Sequence, residues 1–344
     1  MKDLWNYLKD TNKPIVLYGM GNGADKIISV LNRYGIKLSG VFASDGFVRK
    51  KTFHEFDVLP YSMLKRQLGD MIVLLCFGTA LPDVIDDINK IASECELYAP
   101  NVPVFGDTLF NIEYARAHRA DLEFIYNRLA DDTSKKVFYN DVMYKLTGKI
   151  EYLFDCQTTV SEVYQNVLKF GCNETYFDLG AYRGDTVEEF LSQVNGFNQI
   201  IAVEPDRKTY NKLCAYVDGK PNIKCVNAAV CDICGNISFD MHGSRGSSLG
   251  TGQGTVTAVT IDALAETHIP TYIKFDVEGA EYKSIMGGAK TITNHRPKMQ
   301  IATYHRSEDL IQIPKTVLSM CDDYKIYLRH FPCLPDWDTS YFFV

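Results

Sequence analysis

The chain has 344 residues, 46% of them apolar, and a formal net charge of −7 with acids and bases mixed along its length. That length suits two domains, each with its own core, and the acidic balance argues against nucleic acid as a partner, because a phosphate backbone calls for a basic surface. No apolar run reaches the length of a membrane span and the start, MKDLWNYLKD, is unlike a signal peptide, so a cytoplasmic protein with no membrane partner is expected.

The first unit, residues 1–110, alternates strands and helices. PIVLYG is a strand, MGNGA a turn and DKIISVLNRYG a helix closed by Gly35. KLSGVFASD is a second strand ending at Asp45, DMIVLLCFG a buried strand, LPDVIDDINKIASE an amphipathic helix and CELYAP a short strand. Such alternation predicts a parallel sheet covered on both faces. The first turn sets Gly19, Gly21 and Ala24 in a G-x-G-x-x-A pattern, and Asp45 ends the next strand, where a ribose-binding acid would stand. The unit resembles the small Rossmann-like nucleotide-binding domains at the front of some sugar-modifying enzymes. Two readings stay open for it: a second nucleotide site at Gly19, Gly21 and Asp45, or a unit without a ligand that serves homo-oligomerisation.

Residues 111–170 lack strand alternation. NIEYARAHRADLEFIYNRLAD and SKKVFYNDVMYKLTGK read as helices and form a linker or cap. In the second unit, residues 171–344, TYFDLG, QIIAVEPD, IKCVNAAVC, TYIKFDVEG and KMQIATYH are successive strands. DTVEEFLSQV, RKTYNKLCAYV and AEYKSIMGGAKTIT are the intervening helices, and YKIYLRHF and TSYFFV are terminal strands rich in aromatic residues. ISFDMH and TVTAVTID form an antiparallel pair joined by a glycine- and serine-rich loop that sits beside the cleft and is able to close over it. The fold class is therefore α/β, with two doubly wound units joined by a helical segment. The ten cysteines are scattered and mostly in apolar stretches, as buried free thiols are; Cys231 and Cys234 have no second Cys/His pair at zinc spacing.

In doubly wound sheets ligands sit beyond the carboxyl ends of the strands. Those ends offer Asp178, Gly180 and Gly184, then Glu204, Asn227, Asp276 with Glu278, and Tyr304 with His305. Gly180 and Gly184 let a ligand approach the backbone, and Glu204, twenty residues after Gly184, is placed to accept both hydroxyls of a ribose. Asp178 and Asp185 would repel a pyrophosphate but attract the sulfonium and ammonium of S-adenosylmethionine. The cofactor-binding set is thus Asp178, Gly180, Gly184, Glu204 and Asn227.

DLGAYRGDT, AVEPD, NAAV, IKFDVEGAE with GGAK, RPKMQIATYHRSEDL and YKIYLRHF, in this order, resemble the FkbM family of S-adenosylmethionine-dependent methyltransferases. The resemblance covers residues 152–344. It implies the class I methyltransferase sheet, mostly parallel with an antiparallel final strand, and methyl transfer usually to oxygen on sugars or other secondary metabolites. Many members carry Glu-x-His in strand five, where this chain has Thr303-Tyr304-His305, so an acid-dependent role there does not carry over.

Methyl transfer to a hydroxyl needs alignment, a dry pocket and a proton acceptor. His305, which ordinarily titrates near neutrality, is the expected base, with Asp276 and Glu278 as alternatives and Lys274 paired with Asp276. The acids of DVEGAE stand at a helix start, which stabilises them without a metal, and no metal is expected. Arg245, Arg306, Arg329 and His330 are candidate partners for an anionic substrate group, Arg329 being the more structural by its aromatic setting. The expected partner is a small hydroxylated, sugar-like acceptor. Two other readings differ in what they bind: an NAD(P)-linked oxidoreductase using the first unit, and a non-catalytic sugar-nucleotide binding module.

Overall fold

The computed structural model describes residues 2–44, 52–240, 248–249 and 254–344. Asp45, Arg245 and most of the glycine-rich loop lie outside the described residues.

In the first unit, β1 (Ile15–Tyr18), β2 (Gly40–Ala43), β3 (Thr52–Phe53), β4 (Phe56–Pro60), β5 (Ile72–Leu75) and β6 (Glu96–Tyr98) form one sheet in the order β3-β4-β2-β1-β5-β6. All its pairings are parallel except β3 with β4. β1 and β5 are wholly apolar and wholly buried because helices cover both faces. These helices include α1 (Leu4–Asp10), α2 (Asn22–Tyr34), α3 (Tyr61–Leu68) and α4 (Pro82–Glu94). Gly35 ends α2 in the left-handed conformation, its N–H reaching back to the carbonyls of Leu31 and Asn32. The β3–β4 hairpin and α3 were not expected from sequence; β3 has two residues and β4 is half exposed, so neither gives a clear period.

The helical segment contains α5 (Ile112–Ala117), α6 (Arg119–Arg128) and α7 (Asp132–Thr147), followed by shorter turns that end in a π-helix over Val163–Leu168. It joins two cores. Ile125, Val137 and Phe138 pack with Ile326 and Leu328 of the second sheet, while Tyr144 and Leu153 pack with Val73, Ile88 and Leu97 of the first unit.

The second unit's main sheet uses β7 (Thr175–Leu179), β8 (Gln199–Val203), β9 (Ile223–Val226), β14 (Tyr272–Phe275), β15 (Lys298–Ala302), β16 (Ile326–His330) and β17 (Thr339–Phe343). Their order is β16-β17-β15-β14-β7-β8-β9, and only β17 runs antiparallel to its neighbours. This is the class I methyltransferase sheet that the resemblance implies. A small second sheet holds β10 (Ala229–Val230), β11 (Gly235–Asp240), β12 (Ser248–Leu249) and β13 (Gly254–Val259) in the order β10-β13-β11-β12, with β11 and β13 antiparallel as expected.

Two expectations need correction here. The single strand expected over IKCVNAAVC is broken at Asn227: β9 stays in the main sheet and β10 leaves it to pair with β13. The single helix expected over AEYKSIMGGAKTIT is two, Glu281–Met286 and Ala289–His295. The break is a packing requirement, because a Cβ on Gly287 would lie 2.1 Å from the Cys231 carbonyl oxygen and one on Gly288 would press on Ile261. All ten cysteines are free.

Candidate active site

β7, β8, β14 and β15 run parallel, so their carboxyl ends face the same way. Beyond them lies a cavity of about 720 Å³, within the range of small-molecule sites. It extends from Glu204 and Asp206 after β8, past Gly180 after β7 and Asp276 after β14, to Tyr304 and His305 after β15. Phe331, Trp337 and Asp338, between β16 and β17, line it as well, and the first unit adds Gly78, Thr79, Leu81 and Val104.

At the β7–β8 end the turn packs backbone on backbone against the end of β14, and Gly180 lines the cavity. Gly180 has φ +90°, and a Cβ there would sit 1.9 Å from the carbonyl oxygen of Asp276, so no side chain fits between the two strand ends. Glu204 is braced on both carboxylate oxygens: the Tyr182 N–H donates to Oε2 at 3.0 Å and the Asp206 N–H to Oε1 at 2.8 Å. Burial raises its pKa to about 7, opposed by those two amides. Asp178 is fully buried under the turn and is not part of the wall. Its Oδ2 accepts from the Thr186 hydroxyl at 2.5 Å, its Oδ1 has no partner, and burial raises its pKa while Lys274 opposes the shift. Thr186, Asp185 and Glu189 of the following helix do face the cavity.

Two members of the expected cofactor set have other surroundings. Gly184 caps that helix at φ +95°, where a Cβ would collide with the Tyr216 ring. Asn227 donates to the carbonyls of Glu204 and Pro205 at 2.8 and 3.0 Å and accepts from Arg207, so it shapes the Glu204 loop from behind.

The β14–β15 end holds a buried charge cluster. Lys274 Nζ lies 3.4 Å from Asp276 Oδ2, and the Tyr304 hydroxyl donates to Asp276 Oδ1 at 2.9 Å. Burial alone would raise the pKa of Asp276; Lys274, then His305 and Tyr304, outweigh it and hold the carboxyl below its ordinary range. A third of the Asp276 side chain, 33%, stays open to the cavity. His305 is almost wholly buried: Nδ1 lies 2.9 Å from Glu281 Oε1, and Nε2 lies 3.6 Å from Asp276 and 3.5 Å from Glu278. The Nδ1 contact is at ion-pair distance without the alignment of a hydrogen bond. Burial disfavours the imidazolium, but Glu281 first, then Asp276 and Glu278, raise the pKa to about 10. This speaks against the expected role of His305 as general base. A histidine protonated at neutral pH has no lone pair with which to take a proton.

Arg329 is paired with Asp131 at 2.6 Å, Arg306 Nε donates to the Gly279 carbonyl, and His330 is buried and held neutral, its pKa lowered to about 4 by burial. None of the three lines the cavity. In the first unit the strand order reverses between β1 and β5, where a ligand of that sheet would bind. There Gly19 backs onto the Phe77 ring and Trp337 packs on Gly78. The cavity bounded by Gly23, Cys76, Pro335 and Trp337 measures about 30 Å³, room for one water. Gly23, Cys76 and Phe77 thus border a crevice that Pro335, Asp336 and Trp337 of the second unit's 331–338 loop fill, and Gly19 and Gly21 are not in its wall.

Residues 178–330 match the family described as Methyltransferase FkbM domain. The chain carries an FkbM methyltransferase domain. An FkbM methyltransferase from Methylobacillus flagellatus KT has a similar solved structure, with TM-score 0.74, 21% identity, and coverage of 96% of this chain and 90% of that one, so the first unit is included in the shared fold. A precorrin-6y C5,15-methyltransferase from Geobacter metallireducens GS-15 aligns over 54% of this chain and 85% of its own at 12% identity and TM-score 0.34. Fibrillarin from Aeropyrum pernix, in complex with natively bound S-adenosyl-L-methionine, aligns over 54% of this chain and 73% of its own at 13% identity and TM-score 0.35. No curated protein matches the chain. Among the described residues no helix is long and apolar enough to cross a membrane.

The site contains residues that sequence reasoning did not single out. Glu281, buried behind the cavity wall against His305, was hidden by its place at a helix start. Trp337 and Asp338 belong to FPCLPDWDTS, a loop whose approach to the first unit is not a local property. A tryptophan between acids, in a proline-containing link between two apolar strands, is the signal that could have drawn attention to it.

Proposed function

We propose that the FkbM domain transfers a methyl group from S-adenosylmethionine to a hydroxyl oxygen of a small, unphosphorylated, sugar-like acceptor. The observation that carries the donor half is Glu204, a cavity-facing carboxylate fixed by two backbone amides beside a turn with no room for a Cβ. Glu204 would hold the ribose hydroxyls, and Asp185 and Glu189 would face the cationic amino-acid end. Bound there, S-adenosylmethionine supplies an electrophilic methyl group on a sulfonium.

Asp276 is the proton acceptor in this reading. It is ionised, oriented by Lys274 and the Tyr304 hydroxyl, and partly open to the cavity. Asp276 Oδ2 or Oδ1 would take the proton of the acceptor hydroxyl as its oxygen is methylated, with S-adenosylhomocysteine as the other product. His305, as an imidazolium held by Glu281, keeps Asp276 ionised and fixed. Among the described lining residues, seven acidic side chains stand against two basic ones, which disfavours a phosphorylated or nucleotide-linked acceptor.

The test is calorimetric titration with S-adenosylhomocysteine. Glu204→Gln is expected to weaken binding tenfold or more, charge-assisted hydrogen bonds being worth about 1.5–3 kcal/mol each. Ribose hydroxyls donate to the ionised carboxylate, so binding favours the charged form. Wild-type affinity should therefore fall as pH drops through about 7, the raised pKa of Glu204. An unchanged affinity in a folded Glu204→Gln protein would remove Glu204, and with it the donor assignment.

A further inference from the structure

The cavity crosses the carboxyl ends of the sheet, and the strand order says what lies where. Asp276 follows β14, Glu204 follows β8 two strands to one side, and the 331–338 loop joins β16 to β17 two strands to the other. Neighbouring strands are about 4.8 Å apart, so the two ends lie roughly 10 Å to either side of Asp276. With the donor at the Glu204 end, the acceptor end is at the 331–338 loop.

That loop is fixed firmly. Asp336, 1% exposed, is paired with buried Lys145 of α7, and Asn101 of the first unit donates to both its carboxylate oxygens at 3.2 Å. Its carbonyl accepts from the Thr339 N–H at 3.1 Å and from the Thr339 hydroxyl at 2.8 Å. Thr79 and Leu334 exchange a pair of backbone hydrogen bonds across the two units. On this support Trp337 keeps 37% of its surface exposed while facing the cavity. Its ring lies against Gly78, where a Cβ would come within 2.4 Å of two ring carbons. A large aromatic face held open at such an anchored position is unusual for a residue that only fills space.

We propose that Trp337 is the specificity-determining platform of the acceptor site, taking an uncharged ring that stacks on the indole, and that the first unit positions it through Gly78 and Asn101. This rests on the donor reading above. The apolar face selects a ring with a C–H or π surface, and the carboxylates around it reject phosphate. It also gives the first unit a role in the reaction: its crevice is the seat of the loop that carries the platform.

The protein has two tryptophans, and Trp5 is buried in the first unit's core, so a cavity ligand that quenches emission reports on Trp337. The experiment saturates the protein with S-adenosylhomocysteine and titrates 4-nitrophenyl β-glucoside against 4-nitrophenyl phosphate, with fluorescence and calorimetry. The glucoside is expected to bind and quench, and the phosphate to bind at least tenfold more weakly. Trp337→Ala should weaken glucoside binding about tenfold and Trp337→Phe should restore most of it. Gly78→Ala, which displaces the ring from the first unit's side, should weaken it as well. All three variants should bind S-adenosylhomocysteine as the wild type does. No glucoside binding, equal binding of the phosphate, or glucoside affinity unchanged in Trp337→Ala would overturn the proposal. Loss of S-adenosylhomocysteine binding by the wild type would instead overturn the donor reading.

Discussion

Asp276→Asn is expected to lower turnover about a hundredfold to ten-thousandfold, the usual contribution of a positioned proton acceptor, while affinity for S-adenosylhomocysteine stays within a few-fold of wild type. The substitution preserves shape, so Tyr304 keeps a partner, but the amide cannot accept the hydroxyl proton. It also removes the negative charge that stabilises a developing oxonium. Loss of turnover at constant donor affinity separates this from a packing effect. The acid limb of the rate profile should lie well below neutrality, because Lys274 and His305 keep Asp276 ionised. Single-turnover measurement with labelled methyl donor and an acceptor found among neutral hydroxylated rings decides the matter. Near-normal turnover in Asp276→Asn, with a large loss in Glu278→Gln, would move the proton acceptor to Glu278, which also faces the cavity and stands 3.5 Å from His305.

The parts of the fold that were legible from sequence are those where one local signal suffices. β1 and β5 are short apolar runs, β7 and β14 are mostly apolar with one charged residue each, Asp178 and Lys274, and all four are buried throughout. Glu204 could be found because the spacing from a glycine turn to the next strand end is set by one βαβ unit. What failed depended on distant partners. Asn227 looks like a strand-end polar residue from sequence, and only the close approach of the Glu204–Pro205 carbonyls turns it into a brace. Trp337 gains its meaning from Gly78, more than two hundred residues earlier in the chain. The first turn was misleading for a related reason. Gly19 packs on the Phe77 ring and a Cβ on Gly23 would lie 2.2 Å from the Cys76 carbonyl oxygen, while Gly21 has open space around it. A glycine that lets helix and strand touch is indistinguishable by spacing from one that admits a phosphate.

His305 reads most differently in the sequence and in the fold, and its replacement should have the largest effect on stability. Sequence sees an imidazole at a strand end; the fold surrounds it with Glu281, Asp276 and Glu278 and seals Glu281 completely. His305→Ala leaves the Glu281 carboxylate buried without its counter-charge, and breaking such a pair costs about 3–5 kcal/mol. Urea unfolding at pH 6 should show that loss. The pH dependence identifies its origin. The pKa of His305 is raised to about 10 in the folded protein, against an ordinary value of 6.5. The folded state therefore binds the proton more tightly than the unfolded state. The stabilisation is fully present below about pH 6.5 and declines as pH rises to about 10. The difference in stability between wild type and His305→Ala should shrink over that interval, and comparing the two proteins cancels the shared groups that do not interact with His305; Asp309, raised to about 8 by burial and Glu281 and lowered by His305, is not among them. A constant difference from pH 6 to 10 would mean that His305 is neutral in the fold. Together with loss of the acid limb in the variant's rate profile, that outcome would return the proton-accepting role to His305 and take it from Asp276.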